Sequence, residues 1–242
     1  MERKASPMRE KIVGIIGGMG PEATVDLMAR VIKATPALDD VDHIRMVVDN
    51  NPKVPSRIKA IIEGDGESPI PCLQDMARRL VAWGVDFLAM PCNTAHYYHR
   101  DIQESVAIPV LDMVDLAVRE VIIQTPGLKT VGLLASTAVL NLKLYEKRFA
   151  EHGVALLAPA DHFQEGVMHA IKRIKTSSYG GEVVEALQSA TDHLVECGAE
   201  ALLVACTELS IIGREIRPAV KMFDSAQILA EAIVKEALVR PR

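Results

Sequence analysis

The sequence predicts an α/β protein of two pseudo-symmetric, doubly wound domains with mainly parallel sheets and a functional cleft between them. Short apolar, β-branched runs alternate with amphipathic stretches along the 242 residues, the pattern of strands buried on both faces beneath crossover helices. A segment of the first half also recurs in the second. Gly84-Val85-Asp86-Phe87-Leu88-Ala89-Met90-Pro91-Cys92-Asn93-Thr94 matches Gly198-Ala199-Glu200-Ala201-Leu202-Leu203-Val204-Ala205-Cys206-Thr207-Glu208, offset by 114 residues. Finally, Val13-Gly14-Ile15-Ile16-Gly17 resembles Val131-Gly132-Leu133-Leu134-Ala135 at an offset of 118. Two matches at nearly one offset mark a duplicated unit.

Strands are expected at residues 12–16, 43–48, 86–90, 131–134, 154–157 and 201–205, with a weaker one at 220–223. Each is a short apolar run bounded by turn residues. Between them lie helical patterns. Residues 22–33 place Val25, Met28 and Ile32 on one face, and residues 226–238 align Leu229, Ile233 and Leu238. The first domain is expected to comprise residues 1–110 plus 215–242, and the second residues 111–214. The break falls near Ile108-Pro109-Val110-Leu111, and the stretch 218–239 crosses back. Residues 64–69, rich in Gly and acidic residues, read as an exposed turn.

Composition narrows the function classes. Hydrophobic residues make up 49% of the chain, enough for two cores without metal or disulfide support. A net charge of -5, without long runs, gives no nucleic-acid surface. No apolar run reaches the roughly 18 residues that span a bilayer, and Met1-Glu2-Arg3-Lys4-Ala5-Ser6-Pro7 lacks an apolar signal core. A cytoplasmic protein without membrane contact is expected. Its four cysteines should then remain thiols.

The repeated turns carry the chemistry. If the halves pack about a pseudo-twofold axis, Cys92 and Cys206 approach a bound molecule from opposite sides, which suits moving a proton across a carbon. At a helix N-terminus each thiol should be shifted from about 8.5 toward neutrality. The backbone N–H groups of Asn93, Thr94, Thr207 and Glu208 would bind a carboxylate and the charge it gains when the neighbouring carbon is deprotonated. A single buried cysteine is usually a small hydrophobe; the matched pair argues for chemistry. Gly18-Met19-Gly20-Pro21-Glu22-Ala23 fits a loose dinucleotide fingerprint, but Pro21 removes an amide where a pyrophosphate would sit. Cys92, His96 and His99 at helical spacing read as packing rather than metal ligands, with His96 behind the site. Cys72 and Cys197 lie outside the repeated turns and read as structural. Ser136 and Thr137 either donate into the cleft or cap a helix.

Four elements, in order along nearly the whole chain, resemble the cofactor-independent aspartate/glutamate racemases. They are Gly17-Gly18-Met19-Gly20-Pro21-Glu22-Ala23-Thr24, Asn50-Asn51-Pro52 through Pro55-Ser56-Arg57, Met90-Pro91-Cys92-Asn93-Thr94-Ala95-His96, and Cys206-Thr207-Glu208-Leu209. The resemblance implies a two-domain racemase, usually a homodimer, that inverts an amino acid's α-carbon without pyridoxal phosphate or metal. It implies Cys92 and Cys206 as the acid/base pair, with roles exchanging by direction. It puts Asn93, Thr94, Ala95, Thr207 and Glu208 at positions that hold the substrate's backbone groups. Arg57 matches an arginine used on a substrate carboxylate, and Lys175 matches a lysine of similar task, with Lys172 close by.

Gly18-Met19 stands where glutamate racemases carry Asp-Ser, which puts Met19 at the substrate, and Glu208 stands where they carry histidine. Ala205 replaces a common glycine. These departures favour the aspartate branch, with glutamate second. Alternatives are a racemase of basic or assorted amino acids, an isomerase or decarboxylase of small dicarboxylic acids, and a non-catalytic dicarboxylate-binding protein.

Overall fold

The computed structural model describes residues 10–63 and 65–238; the N-terminal heptapeptide and Gly64 of the expected turn lie outside the described residues. Among the described residues seven strands form two sheets. The first contains β1 (Val13–Gly17), β2 (Met46–Asn50) and β3 (Phe87–Ala89) in the order β2-β1-β3. The second contains β4 (Thr130–Ala135), β5 (Ala155–Leu157), β6 (Ala201–Ala205) and β7 (Lys221–Asp224) in the order β5-β4-β6-β7. Every strand pairing is parallel. The helices are α1 (Pro21–Ala34), α2 (Ile70–Ala82), α3 (His99–Gln103), α4 (Met113–Gln124), α5 (Thr137–Asn141), α6 (Glu146–Ala150), α7 (Asp161–Lys175), α8 (Gly181–Glu196), α9 (Thr207–Ile212) and α10 (Ser225–Ala237). No helix among the described residues is long and apolar enough to cross a membrane.

Both sheets are covered on both faces, which is why their strands read as continuous apolar runs. In the first, Val13, Ile15, Phe87 and Ala89 pack with Leu27 and Val31 of α1 and Leu229 and Ile233 of α10. Ile16, Leu88 and Met90 face the other way, toward Leu73, Ala77 and Leu80 of α2. In the second sheet Val131, Leu133, Ala201 and Leu203 join α4 and Phe149, while Leu134, Leu202 and Val204 join α7 and α8.

The duplication is visible atom by atom. Val13 pairs with Phe87 and Val131 with Ala201, the same register at the offset of the repeat. A Cβ added at Gly14 would fall 2.7 Å from Leu88 Cδ2, against Val85 and Leu80, and one added at Gly132 would fall 2.7 Å from Leu202 Cδ2, against Ala199 and Leu194. The three neighbours are equivalent residues in the two halves, so helix and strand approach the central strand equally closely in each.

The structure corrects three expectations. Residues 221–224, placed with the first domain, form the edge strand of the second sheet, because Phe223 packs into that lobe's core; only then does the chain return, with α10 on the first core. The outer face of α1 carries Val25 and Ile32, which are exposed, while Ala23, Leu27 and Val31 are buried. That helix has two apolar stripes, and the buried one also carries Thr24 and Arg30, whose polar groups are satisfied inside: Thr24 Oγ1 accepts from Gly18 N at 2.9 Å. Leu238, at the C-terminal cap of α10, is exposed.

Gly18 joins the end of β1 to residues 51–58. Its φ is +92°, and an added Cβ would lie 2.2 to 2.5 Å from the backbone of Asn51. Neither the backbone conformation nor the neighbour can yield cheaply. Gly18→Ala should therefore destabilise the fold by about 3 kcal/mol, read as a lower urea midpoint.

Candidate active site

Each cysteine leaves the C-terminal end of the central or neighbouring strand through a short turn. Cys92 follows β3 by Met90-Pro91, with its N–H donating to Met90 O at 2.9 Å. It leads into a single 3-10 segment, Thr94–Tyr98, not into an α-helix. Cys206 follows β6 directly and is the N-terminal cap residue of α9. Both are 6% exposed. The two turns touch: Thr207 Oγ1 donates to Pro91 O at 3.1 Å, across 116 residues of sequence.

One cavity is lined by both turns. Met19, Arg57, Cys92, Asn93 and Thr94 come from the first half; Lys175, Cys206, Thr207 and Glu208 come from the second. All the expected site residues line it except Ala95, whose side chain is wholly buried in the first core. Lys175 lines the cavity and Lys172 does not. Ser136 also lines the cavity, with its Oγ 3.4 Å from Thr94 Oγ1, and it caps α5 by accepting from Val139 N. Ser56, Ile58 and Ile171 were not foreseen. Ile171 lies one helical turn before Lys175, so a helix that presents the lysine also presents the isoleucine; Ser56 and Ile58 flank Arg57.

Side chains around the turns are tightly engaged. Asn93 Nδ2 donates to Ser225 Oγ at 3.2 Å, and Asn93 Oδ1 accepts from Tyr145 OH. Burial and the nearby Asp112 keep that phenol above its ordinary value, so it remains a donor. Both ends of the amide are thus engaged within the protein. Arg57 Nη1 donates to Val54 O and Pro55 O at 3.2 and 3.0 Å, an anchor that leaves its other nitrogens for the cavity.

The electrostatics at Cys206 reverse the sequence expectation. Its Sγ donates to Glu208 Oε2 at 3.2 Å. Burial, then the Glu208 charge, push the thiol well above its ordinary range, against the opposing pull of the Leu209 N–H and Lys175. Desolvation outweighs the terminus of a six-residue helix. Glu208 is 8% exposed; its Oε1 lies 3.7 Å from Lys175 Nζ and has no hydrogen-bond partner. The buried carboxylate is thus held by the Cys206 thiol on one oxygen and by the partly exposed Lys175 beside the other.

His96 lies behind Cys92, as expected. Its Nε2 accepts from Met113 N at 3.0 Å, so Nδ1 carries the proton and donates to Cys92 O at 2.8 Å. Burial pushes this histidine below its ordinary 6.5. The unfolded chain then binds a proton that the folded one refuses, so its contribution is intact above about pH 6.5 and is lost as pH falls below it. Asp112, the cap of α4, is held below the ordinary carboxylate range: burial raises it, but His96, the Asp115 N–H and Arg148 more than offset that. A Tm that declines between pH 7 and 5 in the wild type, with a shallower slope in His96→Asn, is the expected result.

Two parallel α/β lobes with repeated cysteine turns lining one cavity, beside Arg57 and Lys175, have the architecture of a two-domain α/β enzyme. Residues 16–233 match the family model described as Asp/Glu/Hydantoin racemase, and the chain belongs to that family; it is an amino-acid racemase. It is 29% identical over 231 residues to the broad specificity amino-acid racemase RacX of Bacillus subtilis (strain 168), covering 94% of this chain and 98% of that one. The Picrophilus torridus aspartate racemase structure is 31% identical, covers 96% of each chain and has a TM-score of 0.79. Glutamate racemase from Francisella tularensis subsp. tularensis SCHU S4, solved with D-glutamate, shares the fold at 19% identity and a TM-score of 0.66, covering 95% of this chain and 81% of that one.

Proposed function

We propose that the protein racemises acidic amino acids, aspartate first and glutamate second, by passing a proton between Cys92 and Cys206 on opposite faces of the α-carbon. The observation that carries this reading is the single cavity shared by both cysteine turns, Arg57 and Lys175. An acidic amino acid has two carboxylates, and the cavity has two cations. One carboxylate is taken by Arg57, and the other lies near the N–H groups of the cysteine turns with Lys175. Cys206 rests as a thiol and is the acid in one direction; Glu208, already accepting from its Sγ, receives its proton when Cys206 must act as base. The enzyme is read as a cytoplasmic homodimer that needs neither pyridoxal phosphate nor metal.

A second reading is a racemase of wider range. It is favoured by the likeness to RacX and by Met19, Ile58 and Ile171, which give the cavity an apolar side. Proton NMR in heavy water, with each enantiomer of acidic, neutral and basic amino acids, separates the two. Exchange of the α-proton with inversion of aspartate well ahead of the others supports the first reading, and comparable rates across the panel support the second. Silence throughout overturns both.

A further inference from the structure

Arg30 and Arg148 are separated by 118 residues, the offset between the matched strands at Val13 and Val131. Arg30 lies on α1 of the first half and is 4% exposed. Its guanidinium donates to Asp26 on its own helix, to Asp224 Oδ2 at 2.9 Å, to Gln227 Oε1 at 3.3 Å and to Ser210 O at 2.7 Å. Asp224 caps α10, accepting from Ala226 N, and its Oδ1 also accepts from Ser210 Oγ at 2.6 Å. Ser210 is four residues beyond Cys206, and its backbone N–H donates to Cys206 O. Its hydroxyl also lies 3.2 Å from that carbonyl, but one proton cannot serve both, and the charged acceptor at the shorter distance takes it.

The other half repeats the arrangement. Arg148, on α6, donates to Asp112 Oδ2 at 2.9 Å, to Asp115 and to Leu144 O. Asp112 caps α4 by accepting from Val114 N and Asp115 N. The first residue of α4, Met113, donates to His96, which is four residues beyond Cys92 and bonds to Cys92 O. In each case an arginine of one half grips the aspartate cap behind the cysteine turn of the other.

We propose that Arg30 and Arg148 are reciprocal positioning residues: Arg30 holds the turn of Cys206, and Arg148 holds the turn of Cys92. The planar fork suits the task. Arg30 spans a helix-terminal carbonyl, two carboxylates and an amide oxygen at once, which a lysine's single ammonium cannot do. The short helix α9 has little stability of its own, so a clamp at Ser210 O fixes the direction of Cys206 at its other end. The proposal rests on the two-thiol reading for its catalytic consequence, but not for its structural one.

The test is therefore one that needs no turnover. Purified full-length protein, as wild type, Arg30→Lys and Arg148→Lys, is treated with iodoacetamide, and the modification rate of each cysteine is followed by peptide mass spectrometry, with exposed Cys197 as the internal reference. Arg30→Lys should speed modification of Cys206 by about fivefold and leave Cys92 unchanged; Arg148→Lys should do the reverse. In the aspartate assay kcat should fall about tenfold for Arg30→Lys with KM nearly constant, as expected of a misdirected reacting group. Equal responses of the two cysteines to each variant, or none, would overturn the clamp. Should Arg30→Lys not fold, Ser210→Ala removes the hydroxyl link alone and must still affect Cys206 over Cys92. A clamp-like alkylation pattern without any racemisation would condemn the two-thiol reading and spare this one.

Discussion

Replacing either Cys92 or Cys206 by serine should abolish racemisation, with a loss of about 10³-fold or more, while aspartate still binds. A serine hydroxyl occupies nearly the same space as the thiol but gives up its proton far less readily, so the change removes acid/base capacity and little else. Chiral chromatography after prolonged incubation measures the loss. The two variants should not behave identically, because each keeps one thiol. The remaining thiol can remove the α-proton from the enantiomer that faces it and return deuterium from heavy water to the same face. Each variant should then wash out the proton of one enantiomer with retention, and the two should choose opposite enantiomers. Full racemisation by either variant would sink the two-thiol scheme.

The resting state sharpens that expectation. Cys206 is held as a thiol by burial and by Glu208, so the direction in which it must act as base requires its proton to leave first. Lys175 is the cation that faces Glu208, with Nζ 3.7 Å from Oε1. Lys175→Met should therefore raise the basic thiol requirement of that direction and move the activity optimum upward in pH, because the uncompensated carboxylate pushes Cys206 further up. A pH profile unchanged from the wild type would dissociate Lys175 from the pair.

Much of this was legible in the sequence because duplication repeats its signals. The runs of β1 and β3 recur as β4 and β6, with the central glycine and the cysteine turn of each lobe, at nearly one offset, and their pairing register follows from equal spacing. What sequence could not show is tertiary. The pattern at Val25, Met28 and Ile32 is as helical as the one at Leu27 and Val31, and only the buried bonds of Thr24 and Arg30 decide between them. Residues 221–224 look like the start of the return crossing until Phe223 finds the second core. At Cys206 the local field of the helix terminus is outweighed by burial and by a carboxylate two residues away. Ser56, Ile58 and Ile171 carry no chemical signature, so only the cavity reveals them. Arg30 and Arg148 were invisible for the opposite reason: basic residues in helical patterns are ordinarily solvated, and their matched offset gains meaning only once the aspartates they reach are known.

Replacing Arg57 by alanine should raise KM for aspartate by about 30- to 100-fold, equivalent to about 2 to 3 kcal/mol of a charged hydrogen-bond pair. Its Nη1 is tied to Val54 O and Pro55 O, so the side chain enters the cavity already oriented, and little ordering cost offsets the gain from a substrate carboxylate. Alanine also abandons those two carbonyls, one of them on buried Val54, so a fall in Tm of a few degrees should accompany the loss of affinity. The cysteines keep their places, which confines the effect to binding: kcat should fall far less than kcat/KM. The substrate panel shows which carboxylate Arg57 serves. If it grips the side chain, the penalty falls on aspartate and glutamate and spares alanine, so the variant becomes less selective as it becomes weaker. A uniform penalty on every amino acid would reassign Arg57 to the α-carboxylate, and unchanged constants with aspartate would remove it from the site.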